Sequence, residues 1–176
     1  MKLRLVVLVM LAFGLSGCAS LSKERCLSNN WDDIGYRDGR QGYKPESLDA
    51  HTKSCAKHGV RPNRDQYTQG YKKGIATYCS TSNGRHVGER GGNYHYVCPP
   101  ELEPEFLESY RYGRELYETK KKVDTATKDL IRKEGQLRAE KNASVRTSLR
   151  REILALDSLV RTLQRNYNQL LAHPPR

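Results

Sequence analysis

The chain has 176 residues, with 31 Lys and Arg against 20 Asp and Glu for a formal net charge of +11. That length suits one domain or two small ones and excludes a large enzyme scaffold. From residue 18 onward Leu, Ile, Val and Phe supply only 26 of 159 residues, and residues 18–100 hold just eight of these; the first half therefore cannot build an aliphatic core, and a large catalytic α/β domain is excluded too.

Residues 1–17 read as a secretory leader. Lys2 and Arg4 supply a basic start, Leu5 to Phe13 is apolar throughout, and small residues precede Cys18. Leu15-Ser16-Gly17-Cys18 resembles the bacterial lipobox. The resemblance implies cleavage before Cys18, thioether-linked diacylglycerol on its sulfur, and N-acylation (as with palmitate) of the new terminus, more than the two signals that stable anchoring needs. Ala19 and Ser20 do not resemble an inner-membrane retention signal, so the expected place is the outer membrane, facing the periplasm. No later stretch approaches ~20 apolar residues, so no spanning helix is expected after the leader. Residues 18–23 then form a lipidated linker.

Residues 24–100 read as a small Cys/Tyr/Gly domain. Besides Cys18 the chain has Cys26, Cys55, Cys79 and Cys98. Four thiols in an oxidising compartment suggest two disulfides. Three pairings are open, and the expectation adopted is Cys26–Cys55 with Cys79–Cys98, each closing one loop. Such staples are worth ~2–4 kcal/mol apiece where the core is poor. No C-x-x-C or H-x-x-x-H spacing accompanies them, so no metal site is expected. In Trp31, Gly35, Tyr36, Gly39, Gly42 and in Tyr67, Gly70, Tyr71, Gly74, Tyr78, aromatics and glycines recur at steps of three and four, the spacing of one helix face. Phe106, Tyr110, Gly113 and Tyr117 repeat this more weakly. A helical glycine costs up to ~1 kcal/mol, so several in register point to close helix packing with rings laid over Gly notches. Between the first two segments, Leu48, His51 and Cys55 share a face, with Pro45 suited to the first turn, Gly59 to the stop, and Pro62 to the opening of the next helix. Residues 80–97, with Gly84, Gly88, Gly91 and Gly92, read as a loop with a short strand pair, and Pro99 and Pro100 close the domain.

The ordered set Cys26, Trp31, Gly35-Tyr36-Arg37-Asp38-Gly39, Gly42, His51, Cys55, Asp65, Tyr67, Gly70, Gly74, Tyr78-Cys79, Gly88, Gly91, Tyr94 and Cys98-Pro99 resembles an uncharacterised family of small bacterial lipoproteins, domain of unknown function 2799, over roughly residues 20–120. The resemblance implies a periplasmic lipoprotein. It brings no activity, cofactor or catalytic residue.

Residues 101–176 read as a helical coiled-coil tail. Leu149, Ile153, Leu156, Val160, Leu163, Tyr167 and Leu170 step by four and three, the seam of a coiled coil. Leu116, Val123, Leu130 and Leu137 keep the spacing upstream, and the frame shifts between Leu137 and Leu149. Two arrangements fit: an antiparallel hairpin of helices near 104–141 and 148–172, which is favoured, or one continuous helix pairing between chains as a homo-oligomer. The expected fold is thus all-α, a small disulfide-stapled helical domain followed by a long helical hairpin or coiled coil.

Charge directs the functional expectation. Residues 119–151 hold eleven Lys and Arg against four Asp and Glu, and in a hairpin they lie toward its far end. Basic patches seek polyanions; in the envelope these are peptidoglycan carboxylates, lipopolysaccharide or phospholipid phosphates, or an acidic protein, not nucleic acid. The expectation is an anchored structural or adaptor lipoprotein, not an enzyme, with no cofactor. The alternatives are an envelope assembly accessory, or a small-ligand or glycan-binding module built from Trp31, Asp38, His51, Asp65, Tyr67 and His95.

Overall fold

The structure, a computed structural model, describes residues 21–174; the leader, the lipobox and Cys18 lie outside the described residues. Among those described there are seven helices and no strand: α1 Lys23–Ser28, α2 Trp31–Arg40, α3 Ser47–Ala56, α4 Arg64–Tyr78, α5 Thr81–Glu89, α6 Glu103–Ala139 and α7 Ala143–Ala172. The all-α expectation holds. No described helix is long and apolar enough to cross a membrane.

Local chemistry sets most boundaries. The side chains of Ser22, Asn30, Asn63, Ser80 and Asn142 each accept a backbone N–H in the first turn of the helix that follows, which satisfies donors the helix itself cannot. Pro104 sits in the first turn of α6. Gly42, Gly59 and Gly91 take positive φ just beyond α2, α3 and α5, where L side chains are strained. Pro62 stands just ahead of the Asn63 cap rather than opening α4 itself. The disulfides are Cys26–Cys55 and Cys79–Cys98.

The loop expected over residues 80–97 is instead helical as far as Glu89, and no strand pair forms there. Ser80 caps the helix, and the glycines that read as breakers are contact points. A Cβ on Gly84 would meet the Phe106 carbonyl and ring, and one on Gly88 would overlap the Tyr110 carbonyl. The packing gained where backbones approach this closely offsets the ~1 kcal/mol propensity cost of each glycine.

This packing occurs twice. α2 lies on α4, with Gly35 against the Tyr67 carbonyl, Gly39 against that of Tyr71, and Gly74 against that of Tyr36. α5 lies on α6, with Gly84 against the carbonyl of Phe106, Gly88 against that of Tyr110, and Gly113 against that of Arg85. Every first-helix position reappears 49 residues later and every second-helix position 39 later. The correspondence reaches single hydrogen bonds. The C-terminal turn of α2 (Gln41 N to Arg37 O, Gly42 N to Gly39 O, Tyr43 N to Asp38 O) recurs as Arg90 to His86, Gly91 to Gly88 and Gly92 to Val87. Tyr71 Oη donates to Tyr43 O at 2.8 Å, and its counterpart Tyr110 Oη donates to Gly92 O at 3.0 Å. Rings of Tyr78 and Tyr117 cover Gly42 and Gly91. Each pair carries one disulfide, joining the stretch ahead of its first helix to the connector between its helices. The sequence separation is 29 in the first unit and 19 in the second. The longer connector contains the additional helix α3.

The two units share one core of rings. Tyr78 stacks on Phe106 at 5.3 Å, and Tyr94 and Tyr110 complete the cluster around Phe106. The aromatic packing therefore continues past Pro100 into the opening turns of α6. Beyond them α6 and α7 form an antiparallel hairpin. Tyr112 Oη donates to Leu170 O, Lys133 pairs with Glu152, and Arg146 donates to Leu137 O and Glu140 O at the turn. Leu116, Val123, Ala126 and Leu149 are buried, while Ile153, Leu156, Val160, Leu163, Tyr167 and Leu170 are half-buried. The frame shift of the seam coincides with the turn at 140–142. α7 starts at Ala143, earlier than the Ser and Thr content of 143–148 suggested, because Asn142 Oδ1 accepts from both Ser144 N and Val145 N.

Candidate functional site

Two places concentrate chemistry. The first is a buried polar cluster in the first unit. Asp38 lies on the face of α2 that carries Ile34, Gly35 and Gly39, so the close α2–α4 contact presses it toward Tyr67. His51 shares the inner face of α3 with Leu48 and Cys55, held there by the Cys26–Cys55 disulfide. Tyr67 Oη donates to Asp38 Oδ2 at 2.7 Å, and His51 Nε2 meets the same oxygen at 2.7 Å. The three residues are 7%, 5% and 2% exposed. Burial, and then its bond to the Asp38 carboxylate, push the Tyr67 hydroxyl far above the ordinary tyrosine range, so it remains a donor. Burial likewise raises Tyr71 to about 12, helped by the negative charges of Glu46 and Asp38. His51 Nδ1 is buried with no hydrogen-bond partner among the described residues.

Asp38 and His51 also line a cavity of about 730 Å³ between α1, the end of α2 and α3. Arg25, Arg37, Lys53 and Lys57 line it as well, and Asp38 is its one carboxylate. Arg37 is paired with Asp33 at 2.9 Å. Arg25, Lys53 and Lys57 are exposed and make no ion pair among the described residues. Lys53 and Lys57 stand one helical turn apart with Ser54 between them, a spacing legible in the sequence although only the buried face of α3 drew notice there.

The other residues singled out in the sequence lie elsewhere. Trp31 is fully buried, its indole N–H donating to Asn29 Oδ1 at 2.6 Å. Its ring faces and those of Tyr67 are covered by protein, so neither offers a platform for a sugar. Asp65 and His95 are exposed, on the outer face of α4 and in the connector before α6. Among the described residues no group of three His, Cys, Asp or Glu side chains is placed to hold a metal ion.

The second place is the hairpin. From the Tyr112–Leu170 bond to the turn, α6 rises about 40 Å at 1.5 Å per residue. Arg138, Lys141, Arg150 and Arg151 cluster at or near the turn, are exposed, and pair with no carboxylate among the described residues. Glu140, the acid at the turn, is engaged by Lys141 N and Asn142 N. An apolar groove of about 430 Å³ runs alongside Leu156, Leu159 and Leu163 on the hairpin flank.

A family model described as a protein of unknown function (DUF2799) matches residues 30–115. The match opens at the Asn30 cap of α2 and ends just past Gly113, so it contains both Gly-notched helix pairs and stops where the free hairpin begins. This bears out the family resemblance read from the Cys, Trp, Gly and Tyr pattern. No enzymatic domain is indicated. No curated protein and no solved structure matches the chain.

Proposed function

We propose that this chain, whose residues 30–115 match the DUF2799 family model, is a lipid-anchored envelope adaptor rather than an enzyme. In this reading Cys18 carries the acyl chains at the outer membrane, the disulfide-bonded units form a compact base, and the hairpin is an arm whose basic end contacts an anionic envelope component. The observation that carries the reading is the set of exposed Arg138, Lys141, Arg150 and Arg151, without an ion pair among the described residues, toward the far end of an antiparallel helical arm about 40 Å long. The polyanion assigned to it in this reading is the carboxylate array of peptidoglycan. A partner protein docking an apolar side chain in the groove is the second reading, favoured by Leu159 there, which is 47% exposed.

The test is co-sedimentation of the mature polypeptide, with Cys18→Ser to remove the lipid, on purified peptidoglycan sacculi across a salt series. Binding should fall with salt and drop at least about tenfold on neutralising the end of the arm (Arg138→Gln, Lys141→Gln, Arg150→Gln, Arg151→Gln), because several charge contacts are lost together. Equal sedimentation of both proteins removes the arm from the reading. The anchor is tested apart from it: the mature native chain should carry acyl mass at Cys18, and Cys18→Ser should carry none.

A further inference from the structure

The cavity between α1 and α3 lies beside the place where the chain emerges from its anchor. Leu21 and Ser22 line it, and Leu21 packs against the aromatic core. Three peptide steps separate Cys18 from Leu21, a reach of at most about 11 Å. With acyl chains on Cys18, which is the anchoring read above, the cavity mouth is confined to the headgroup layer of the membrane. Arg25, Lys53 and Lys57 stand there with no internal counter-charge, the hydroxyls of Ser22 and Ser47 and the part of the Arg37 guanidinium not paired with Asp33 add donors, and the single lining carboxylate, Asp38, has its Oδ2 occupied by His51 and Tyr67. We propose that this cavity binds the phosphate of an anionic lipid headgroup, fixing the orientation of the base on the membrane.

The comparison between the two units supports this. The second unit makes the same helix pair without α3, with Val87 where the first has Asp38 and Phe106 where it has Tyr67. The ten extra connector residues, the polar cluster and the cationic cavity occur together, in the unit next to the anchor, and the second unit forms the same helix pair without them. Basic residues at an anionic surface add roughly 1 kcal/mol each. Tethering raises the local headgroup concentration further, so modest intrinsic affinity suffices to fill the site.

The test uses the mature Cys18→Ser polypeptide and vesicles of phosphatidylglycerol in phosphatidylcholine, with pure phosphatidylcholine vesicles as reference. Binding should require phosphatidylglycerol and weaken on the order of a hundredfold in Arg25→Gln, Lys53→Gln, Lys57→Gln, while the arm variant retains it to within a few-fold. Glycerol 3-phosphate should move the His51 ring resonances in the unsubstituted protein and leave them in place in the triple variant. Vesicle binding that follows the arm and ignores the cavity residues overturns the proposal, as does equal binding to both vesicle types. Saturable shifts at His51 with inorganic phosphate but no vesicle binding assign the cavity to a free phosphate and overturn the lipid. Acyl mass at Cys18 without any vesicle preference leaves the anchor standing and removes the headgroup site. Vesicle preference in a chain whose native form lacks acyl mass does the reverse.

Discussion

Between α2 and α4 the buried side chains include Asp38 and Tyr67; at the equivalent positions between α5 and α6 they are Val87 and Phe106. The surrounding backbones make the same glycine contacts and the same C-terminal turns. The two units thus separate what the helix pair needs from what one copy has added. What it needs is small residues where backbones meet and large rings beside them. What the first unit adds is a carboxylate, a histidine and a hydroxyl buried together, with an extra helix that brings the histidine.

The sharpest way to break the comparison is at the notches. Gly35→Ala or Gly70→Ala puts a methyl group into the Tyr67 or Asp32 carbonyl, and neither helix can yield without losing the contacts next along. Each should destabilise by about 3 kcal/mol or more. Gly88→Ala should cost a similar amount, since Tyr110 O and Arg114 N crowd it in the same way. Urea unfolding of the oxidised proteins measures all three. A small effect at Gly88 beside a large one at Gly35 would show that the second unit packs more loosely than the shared geometry implies.

Exchanging the inner residues is the next test. Asp38→Val alone leaves the Tyr67 hydroxyl and His51 Nε2 buried without an acceptor and should cost about 1–3 kcal/mol. Tyr67→Phe alone removes one hydrogen bond and should cost about 1 kcal/mol. The triple change Asp38→Val, Tyr67→Phe, His51→Leu copies the apolar character of the second unit and should recover much of the loss, as removing all polar partners together is far less costly than orphaning some. A triple variant as unstable as the sum of its parts would make the cluster a structural requirement of the first unit.

Much of this was legible beforehand, and the rest was hidden for physical reasons. Trp31, Ile34, Gly35, Asp38, Gly39 and Gly42 lie on one face, so the inward place of Asp38 could be read from spacing. Asp65 stands two residues before the buried Tyr67, and that half-turn offset puts it outside. The meeting of Asp38, His51 and Tyr67 depends on the α2–α4 contact and the Cys26–Cys55 disulfide, which no local pattern reveals. α5 was missed because its helix is written in Gly, Ser, Asn and Arg, with Val87 as its only aliphatic residue. Its stability comes from α6, not from its own propensities. The duplication was hidden because its two halves are offset by 49 and 39 residues, so no single period aligns them.

Alkali should distinguish the units next. Burial raises the Tyr67, Tyr71, Tyr78 and Tyr94 hydroxyls, Tyr71 and Tyr94 to about 12. Each group is protonated in the folded state where the unfolded chain would have lost its proton. Their stabilisation is therefore full below the free tyrosine value near 10 and is lost as pH rises through about 12. Absorbance at 295 nm should show these rings ionising together with unfolding. In Tyr67→Phe the fall in stability between pH 10 and 12 should be shallower, since the donor beside the Asp38 carboxylate is gone. An unchanged slope would mean that the alkaline limit is set by the other buried rings, Tyr71, Tyr78 and Tyr94.

The smallest expected effect concerns the glycine that is not a notch. Gly135 lies inside α6 beyond the family match, and a Cβ there would meet nothing within 4 Å. It carries the entropic cost of a helical glycine without the packing that offsets it in the two units. Gly135→Ala should therefore stabilise the arm, by up to about 1 kcal/mol, against the large losses expected at Gly35 and Gly88. Where the gain appears is informative. If α6 transmits cooperativity from the ring cluster at Phe106 to the turn at Asn142, the whole unfolding transition moves upward. If the arm opens independently, the gain is confined to slower amide exchange between residues 120 and 150. In that case the arm is a separate cooperative unit, joined to the base through the turns of α6 that hold Phe106, Tyr110 and Gly113.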